Sequence, residues 1–301
     1  MSSGWNLAME FSLTDRRAVI AHWHDQSVGL VRDPSLLLLV ERYGERMCGR
    51  VVTASGPEEL SEHLGADAVV DVLEGPDYNV APLGRLPIAW EAAEDGRRLL
   101  GTARWGLVPR WAKEASFGER TFNARMETVA TKPSYRSAFR RRRCLVPVDG
   151  YYEWSPGMRP VKGVKQPWYV SRTDGNLMVL AGLWEDWIDP EDAREEAALL
   201  RTCTVITVEA SAEMAAVHHR MPAVLESHDW GRWLDSDMGE SLPLQSLLSP
   251  APVGVLCWHP VDHRVGDARC NGEQLTKPIE LDVGTSPDDG SDSDWVQRSL
   301  W

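Results

Sequence analysis

The chain has 301 residues, of which 43% are hydrophobic and 26% are charged, as in an ordinary soluble globular protein with one large domain or two small ones. These values exclude collagen-like, disordered and multi-span membrane proteins. The formal net charge of −13 argues against a protein that binds nucleic acid over its whole surface, although it is compatible with local basic patches.

The two ends of the chain differ from its centre. Residues 1–46 show no sustained period of 3.6 or 2.0 residues, and we interpret them as an N-terminal extension. Residues 281–301 combine several aspartates with glycine and serine. This predicts an acidic disordered tail, because the segment offers too little apolar surface to bury. One domain is expected over residues 47–280.

Short strands and hairpins dominate the predicted elements of this domain. Two pairs of apolar runs are each separated by an Asp-Gly dipeptide, which is typical of a two-residue hairpin turn. The paired runs are Leu86–Glu91 with Arg98–Trp105, and Trp168–Arg172 with Leu177–Leu183. Two further runs with β-branched side chains, Cys144–Val148 and Thr202–Val208, are predicted to be strands as well.

Predicted helices are fewer and shorter. Helical spacing is present in Pro57–Leu64, Ala66–Leu73 and Ser211–Val217, and Ser227 is placed to cap a helix that ends at Leu234. Six or more strands with a few peripheral helices predict an α+β fold. We expect a β-rich single domain with a barrel-like antiparallel sheet.

Basic residues concentrate in one part of the chain. Between Arg97 and Arg143 there are thirteen lysines and arginines but only three glutamates, which gives a local balance of +10 within a chain of −13. The densest run, Arg140 to Arg143, is either a solvated strand end or part of a surface that binds phosphate groups.

Several enzyme classes lack their usual markers here. The chain has no Walker A loop, no glycine-rich dinucleotide motif, no Gly-x-Ser-x-Gly elbow and no Cys-x-x-Cys pair. The spacing of Cys257, His259, His263 and Cys270 matches no common tetrahedral zinc site, so we expect neither a metal nor another cofactor. The five widely spaced cysteines, the lack of a long apolar run and the lack of a secretory signal predict a cytoplasmic protein without membrane contact.

Seven short segments carry a more specific signal. They are Met47-Cys48-Gly49-Arg50, Tyr78-Asn79-Val80-Ala81-Pro82, Trp105-Gly106-Leu107-Val108-Pro109, Asn123-Ala124-Arg125-Met126-Glu127, Gly150-Tyr151-Tyr152-Glu153-Trp154, His218-His219-Arg220-Met221-Pro222 and Trp258-His259-Pro260-Val261. In this order the series resembles the SRAP family, the SOS-response-associated peptidase proteins that shield abasic sites in single-stranded DNA. The resemblance extends from Met47 to about Pro278.

The resemblance implies the SRAP fold and a covalent reaction with abasic DNA. In that family the cysteine of Met-Cys-Gly-Arg is the first residue of the mature chain, and its amine and thiol together form a thiazolidine crosslink. Here 46 residues precede Met47, so Cys48 has a thiol but no free amine in the chain as written. Translation from Met47 followed by removal of this methionine, or self-cleavage before Cys48, would expose that amine, whereas a retained extension would not.

The same resemblance implies roles for three further side chains beside Cys48. Glu153, which lies between two aromatic residues, is the implied acid–base group. His218 is the implied proton donor to the sugar ring oxygen, and Asn123 is implied to hold the cysteine and the sugar by hydrogen bonds. Residues of these types also occur in structural roles, Glu153 as a salt-bridged strand end and Asn123 as a turn former.

DNA binding is implied for a second set of residues. Arg50 and Arg125 resemble the phosphate contacts of the family, and the basic run would extend their groove. Pro82, Trp105 and Trp111 are candidates for apolar wedges or stacking platforms beside the lesion. The expected partner is single-stranded DNA with abasic sites. The resemblance also implies replication-fork proteins as partners and association with the nucleoid. We expect a monomer.

Three hypotheses for the function stay open at this point. The first is a protein that crosslinks to abasic sites, with AP-lyase activity. The second is a cysteine peptidase with Cys48 as nucleophile and His218 as base, used either on other proteins or only for self-cleavage. The third is a non-enzymatic module that binds single strands.

Overall fold

The computed structural model describes residues 49–155, 165–191, 198–238 and 241–281. The predicted N-terminal extension, Cys48 and the predicted acidic tail beyond residue 281 lie outside the described residues. Expectations about these three parts of the chain therefore stay predictions.

Strands form most of the regular secondary structure in the described residues. They are β1 (Val51–Thr53), β2 (Ala68–Val69), β3 (Asp77–Val80), β4 (Arg85–Glu91), β5 (Arg98–Trp105), β6 (Asn123–Arg125), β7 (Arg143–Val148), β8 (Gly150–Ser155), β9 (Gln166–Arg172), β10 (Met178–Ile188), β11 (Leu199–Glu209), β12 (Arg220–Pro222) and β13 (Leu256–Pro260). The α-helices are α1 (Pro57–Leu64), α2 (Met126–Val129), α3 (Arg136–Arg141), α4 (Trp230–Leu234) and α5 (Ser241–Gln245). Short 3₁₀ helices span Ala115–Arg120, Met214–Ala216, Ser227–Asp229, His263–Gly266 and Glu273–Thr276.

The larger sheet closes on itself. Its strand order is β12-β11-β10-β7-β4-β5-β2, with β6 paired to β11. A parallel pairing of Thr202 with Arg104 and of Cys203 with Trp105 joins β11 to β5. The strands β11, β10, β7, β4 and β5 thus form a closed five-stranded barrel, which confirms the predicted β-rich α+β fold with a barrel-like sheet.

A second sheet of five antiparallel strands has the order β13-β9-β8-β1-β3. It is joined to the barrel at Asp149, the single residue between β7 and β8. Asp149 N donates to the carbonyl oxygen of Val52 at 2.9 Å, and the Asp149 carboxylate accepts from Ala54 N at 2.6 Å. This junction holds the first strand after Gly49 against the barrel.

The central strands are continuous apolar runs because both of their faces are buried in the core. All six residues of β7 are buried, because the barrel covers one face of this strand and helices cover the other. Trp233 of α4 is fully buried and its indole donates to the carbonyl oxygen of Cys144 at 3.0 Å, while Phe139 of α3 packs on its ring. No helix in the described ranges is long and apolar enough to cross a membrane.

The predicted hairpins have different outcomes. The first is confirmed, since β4 and β5 are antiparallel and Gly96 adopts the φ of +71° that its turn requires. The second is wrong, because β9 pairs in the smaller sheet and β10 pairs in the barrel. The turn at Asp174 and Gly175 thus carries the chain between sheets, since burial of the strand faces sets the partners of a strand whereas the turn dipeptide does not.

The predicted helices also needed correction. Pro57–Leu64 is a helix as predicted, whereas Ala66–Leu73 is an extended edge that includes β2 and donates from Val70 N to Leu100 O at 2.8 Å. Its three valines favour the extended backbone. Ser211–Val217 contains only a 3₁₀ turn, and Ser227 begins a 3₁₀ turn that leads into α4 without capping the α-helix by its side chain.

Candidate functional site

The segment that follows Cys48 lies against the strand that carries Glu153. The peptide N–H of Tyr152 donates to the carbonyl oxygen of Arg50 at 2.9 Å, and Val51 is in register with Tyr151. Glu153 is 3% exposed, and its Oε1 accepts from Trp154 N at 3.1 Å. A carboxyl group is therefore buried one residue from the point where the Arg50 backbone is fixed.

The Arg50 side chain is held by several protein groups. Its Nη1 donates to Asn79 Oδ1 at 3.1 Å and to the carbonyl oxygen of Val265 at 2.9 Å, while Nη2 donates to the carbonyl oxygen of Gly266 at 3.1 Å. Burial lowers the pKa of Arg50, and the charge of Asp267 opposes this shift. Arg50 is thus half-buried and anchored, with one edge of its guanidinium group toward the surface.

Pro82 lies next to the same segment. A Cβ atom at Gly49 would be 3.9 Å from Pro82 Cγ, so the proline ring lies beside the residue that follows Cys48 in the sequence. Pro82 is half-buried. The structure thus places Pro82 near the start of the described chain, beside Gly49.

Asn123 and Arg125 lie on β6, where the parallel pairing with β11 aligns Asn123 with Val205 and Arg125 with Thr207. Asn123 is half-buried and Arg125 is exposed. The hydroxyl of the buried Tyr135 donates to the carbonyl oxygen of Asn123 at 3.0 Å. Burial raises the pKa of Tyr135, which keeps its hydroxyl a neutral donor.

His218 is half-buried, and its ring is oriented by the backbone of Arg220. Nδ1 lies 3.1 Å from Arg220 N and 3.3 Å from Arg220 O. The neutral ring can accept from that N–H through Nδ1, whereas the protonated ring can donate to that carbonyl. His219 is exposed, with its ring centroid 4.3 Å from that of His218. The backbone therefore offers a partner to both protonation states of His218, which suits a group that exchanges protons.

An ion pair joins the segment of His218 to the segment of Arg125. Arg220 reaches across β11, where its Nη2 donates to Thr207 O at 2.6 Å and to Glu127 Oε2 at 3.0 Å, and its Nη1 also donates to Glu127. Thr207 is aligned with Arg125 on one side of β11 and with Pro222 on the other. The structure thus brings the Asn-Ala-Arg-Met-Glu and His-His-Arg-Met-Pro motifs together.

Two predictions for the tryptophans diverge. Trp105 is fully buried, and its indole donates to the carbonyl oxygen of Phe122 at 2.8 Å, so the prediction that it forms a stacking platform is wrong. Trp111 is 58% exposed, and its ring makes a T-shaped contact with that of Phe117 at a centroid distance of 5.1 Å. Of these two indoles, only that of Trp111 is exposed to solvent.

The four arginines of the basic run, Arg140 to Arg143, do not share one exposed surface. Arg143 is buried and donates to four backbone carbonyl oxygens, among them that of Phe139 at 2.7 Å, and burial lowers its pKa to about 10. Arg142 pairs with the buried Glu185 at 2.7 Å. The prediction of a phosphate-binding run is therefore wrong for these two, since they hold α3, α4 and β10 together. Arg140 and Arg141 are exposed.

Two of the described thiols, those of Cys144 and Cys203, are poor nucleophiles. Cys144 and Cys203 are fully buried, and burial raises the pKa of both thiols. Of the four residues considered for zinc, His259 contacts the backbone instead, since its Nε2 lies 2.8 Å from the carbonyl oxygen of Thr276. Within the described ranges, no three His, Cys, Asp or Glu side chains group as metal ligands.

Two positioning residues were not predicted from the sequence. Asn79 is buried, and its Nδ2 donates to the carbonyl oxygens of Asp267 and Cys270, each at 2.9 Å, while its Oδ1 accepts from Arg50. Asn79 lies inside one of the seven motifs, and this position in the sequence could have indicated its role. Tyr135 lies outside every motif, and nothing in its spacing indicates the bond to Asn123.

Comparison with known proteins gives the chain a family. A family model described as SOS response associated peptidase (SRAP) matches residues 47–268. Among similar curated proteins is the abasic site processing protein YoqW of Bacillus subtilis (strain 168), 34% identical over 230 residues, which are 76% of this chain and 98% of that protein. The abasic site processing protein HMCES of Gallus gallus is 31% identical over 276 residues, 79% of each chain.

Solved structures agree on the architecture. A protein from Bacteroides thetaiotaomicron superposes with a TM-score of 0.66 at 23% sequence identity, covering 77% of this chain and all of that chain. At this identity the likeness concerns the fold alone. Every candidate site residue lies within residues 47–268, the range that the family model matches.

Proposed function

Because this chain belongs to the SOS response associated peptidase (SRAP) family, whose curated relatives include abasic site processing proteins, we propose that it captures abasic sites in single-stranded DNA covalently through Cys48. One observation carries this proposal. The backbone that follows Cys48 is fixed at Arg50 by Tyr152, the neighbour of the buried Glu153. A nucleophile and an acid–base group would thus be adjacent.

The reaction requires both the amine and the thiol of a terminal cysteine. The ring-opened deoxyribose presents an aldehyde at C1′, and the α-amine of Cys48 adds to it and loses water to form an imine. The Cys48 thiol then adds to the imine carbon and transfers its proton to the nitrogen, which closes a five-membered thiazolidine. The α-amine has an ordinary pKa of about 7.7–8.0 against about 10.4 for lysine, so it is the better nucleophile near neutral pH.

Three side chains would support these steps. Glu153 would accept a proton from the attacking amine and return one to the departing hydroxyl. His218 would donate a proton to the ring oxygen during opening, with its Nδ1 held by Arg220. Asn123, whose backbone is held by Tyr135, would hydrogen-bond the cysteine and the sugar. If the thiol fails to close the ring, the imine can undergo β-elimination, which is AP-lyase chemistry.

The DNA strand would follow the exposed basic side chains. Arg125 would bind a phosphate group, and the surface edge of Arg50 would bind another near Cys48. Arg140 and Arg141 would add long-range attraction, while Pro82 and Trp111 would contact sugars and bases. The negative net charge of the chain would then lie away from this face.

A second candidate function is thiol peptidase chemistry, which the name of the matching family model favours. Cys48 would attack a peptide carbonyl with His218 as base. Used once within the chain, this reaction would release the residues before Cys48 and create the free amine that crosslinking needs.

The deciding experiment compares the 301-residue chain with a chain that begins at Met47. Each is mixed with a single strand that contains one abasic site and is then run on a denaturing gel, with an undamaged strand and a Cys48→Ser variant as controls. We expect a stable shifted band from the shorter chain alone, after loss of Met47. Intact mass shows whether either chain begins at Cys48, and equal crosslinking by an intact long chain would contradict the thiazolidine.

A further inference from the structure

Residues 81–84 form a tight turn with an unusual residue at its third position. Gly84 N donates to the carbonyl oxygen of Ala81 at 2.9 Å, with Pro82 second and Leu83 third in the turn. Leu83 has a φ of +73°, as a type II turn requires at this position, where glycine is preferred. Among the described residues, Leu83 alone combines a side chain with a positive φ. A γ-branched side chain is thus kept where the backbone disfavours one.

The surroundings of Leu83 enforce this backbone without burying the side chain. Leu83 N donates to the carbonyl oxygen of Trp105 at 2.8 Å, and Trp105 N donates to that of Gly84 at 2.8 Å. Leu83 Cδ2 approaches Gly106, where a Cβ atom would lie 3.2 Å from it and still closer, at 2.5 Å, to the carbonyl oxygen of Gly118. The leucine is nevertheless 37% exposed. Disfavoured backbone conformations cluster at ligand-binding and active sites, and here the strained residue keeps an exposed side chain.

The turn borders both segments that carry the proposed chemistry. On one side Pro82 lies beside Gly49, the residue after Cys48, where an added Cβ atom would be 3.9 Å from Pro82 Cγ. On the other side Trp105, which fixes the turn, donates from its indole to the carbonyl oxygen of Phe122, the residue before Asn123. The exposed part of Leu83 therefore belongs to the margin of the proposed site.

We propose that Leu83 packs its aliphatic side chain against the base next to the abasic site in the bound strand. This inference rests on the proposed function. An abasic site leaves the adjacent base with one face that has lost its stacking partner, and an apolar side chain can cover that face. Such a contact tolerates any sequence, because every base has an apolar face. A glycine at position 83 would adopt the positive φ without strain, but it would offer no apolar side chain to the base.

The test uses Leu83→Gly and Leu83→Asn, because both residues tolerate a positive φ and remove the aliphatic surface. Val253→Asn, at a valine that is 72% exposed before β13, is the matched control. Urea unfolding is measured together with the affinity for a single strand that contains a tetrahydrofuran abasic analogue, which cannot react, and for the undamaged strand. We expect unchanged or higher stability and about five- to tenfold weaker binding of the analogue strand in both Leu83 variants.

The outcomes separate this inference from the proposed function. If the parent binds the analogue strand and both Leu83 variants bind it equally well, Leu83 is a packing residue and the inference is overturned alone. An equal loss of affinity for the undamaged strand would also overturn it, because the contact would then be independent of the lesion. If the parent binds neither strand, the proposed function fails and the inference fails with it.

Discussion

The guanidinium group of Arg220 and the carboxylate of Glu127, 93 residues apart in the chain, form a two-pronged ion pair across β11. Each partner is close to a proposed functional residue, since Arg220 follows His218 by two positions and Glu127 follows Arg125 by two. The pair therefore fixes the distance between the proposed proton donor and the proposed phosphate contact. We therefore expect the pair to orient the proposed site without taking part in the reaction.

The ion pair makes stability depend on pH. Burial by itself would raise the pKa of Glu127, but hydrogen bonds and the charges of Arg220 and Arg125 bring it below its ordinary value of 4.5. A lowered folded-state pKa contributes stability that is present above the ordinary value and is lost as the pH falls through the folded value. Because Glu127 is partly exposed, we expect Glu127→Gln to lower the unfolding free energy at pH 7 by only about 0.5–1 kcal/mol, and by less near pH 3.

Urea unfolding at the two pH values measures this effect, and a double-mutant cycle with Arg220→Lys isolates the coupling. Glu273→Gln is the control, since Glu273 pairs with Lys277 at an exposed site. An equal loss at pH 3 and pH 7 would show that the carboxylate charge of Glu127 does not stabilise the fold.

Replacement of Arg125 by alanine should weaken the binding of undamaged and abasic single strands alike. We expect the slope of log affinity against log salt concentration to become less steep by about 0.7, the value for one phosphate contact on a single strand. Arg97→Ala is the control, because Arg97 is an exposed arginine that pairs with Asp95 at a hairpin turn. Titrations of labelled strands at several salt concentrations give the slopes, and an unchanged slope would make Arg125 a structural residue.

Glu153 and His218 should affect chemistry more than binding. In a chain with a free Cys48 amine, we expect Glu153→Gln to slow adduct formation by about 10²–10⁴-fold, the usual effect of losing acid–base help. His218→Ala should slow ring opening and strand scission, while both variants keep nearly the parent affinity for DNA. A time course of adduct and scission products, with affinity measured separately, tests both roles. A loss of affinity as large as the loss of rate would make these residues binding or folding elements.

Thiol reactivity should separate Cys48 from two of the other cysteines. Burial raises the pKa of Cys144 and Cys203, so we expect neither to react with iodoacetamide at pH 7.5 in the native protein and both to react in urea. Peptide mass spectrometry reads the labelled positions. Rapid native labelling of Cys144 or Cys203 would mean that the barrel opens readily, and it would add a competing nucleophile to any peptidase assay.

Local patterns predicted local structure, whereas pairing across the chain required the three-dimensional fold. The same Asp-Gly dipeptide makes a hairpin at Gly96 and a crossing between sheets at Gly175, because the burial of distant strands decides the partners. Within the site, the motifs named Asn123 and His218, but the link that joins their segments runs through Thr207. The residue type could not predict which of Trp105 and Trp111 is available to a base, because the packing of the fold decides which indole reaches solvent.

The parallel pairing of Thr202 with Arg104 joins positions about 100 residues apart, so the barrel can close only after a large loss of chain entropy. Before β11 is in place, β6 and β12 have no strand between them, and the segments of Asn123 and His218 are independent. A chain still emerging from the ribosome would thus have the strand of Glu153 long before it had an oriented histidine. Ring opening of the abasic sugar assisted by His218 would then be delayed until synthesis of the domain is nearly complete.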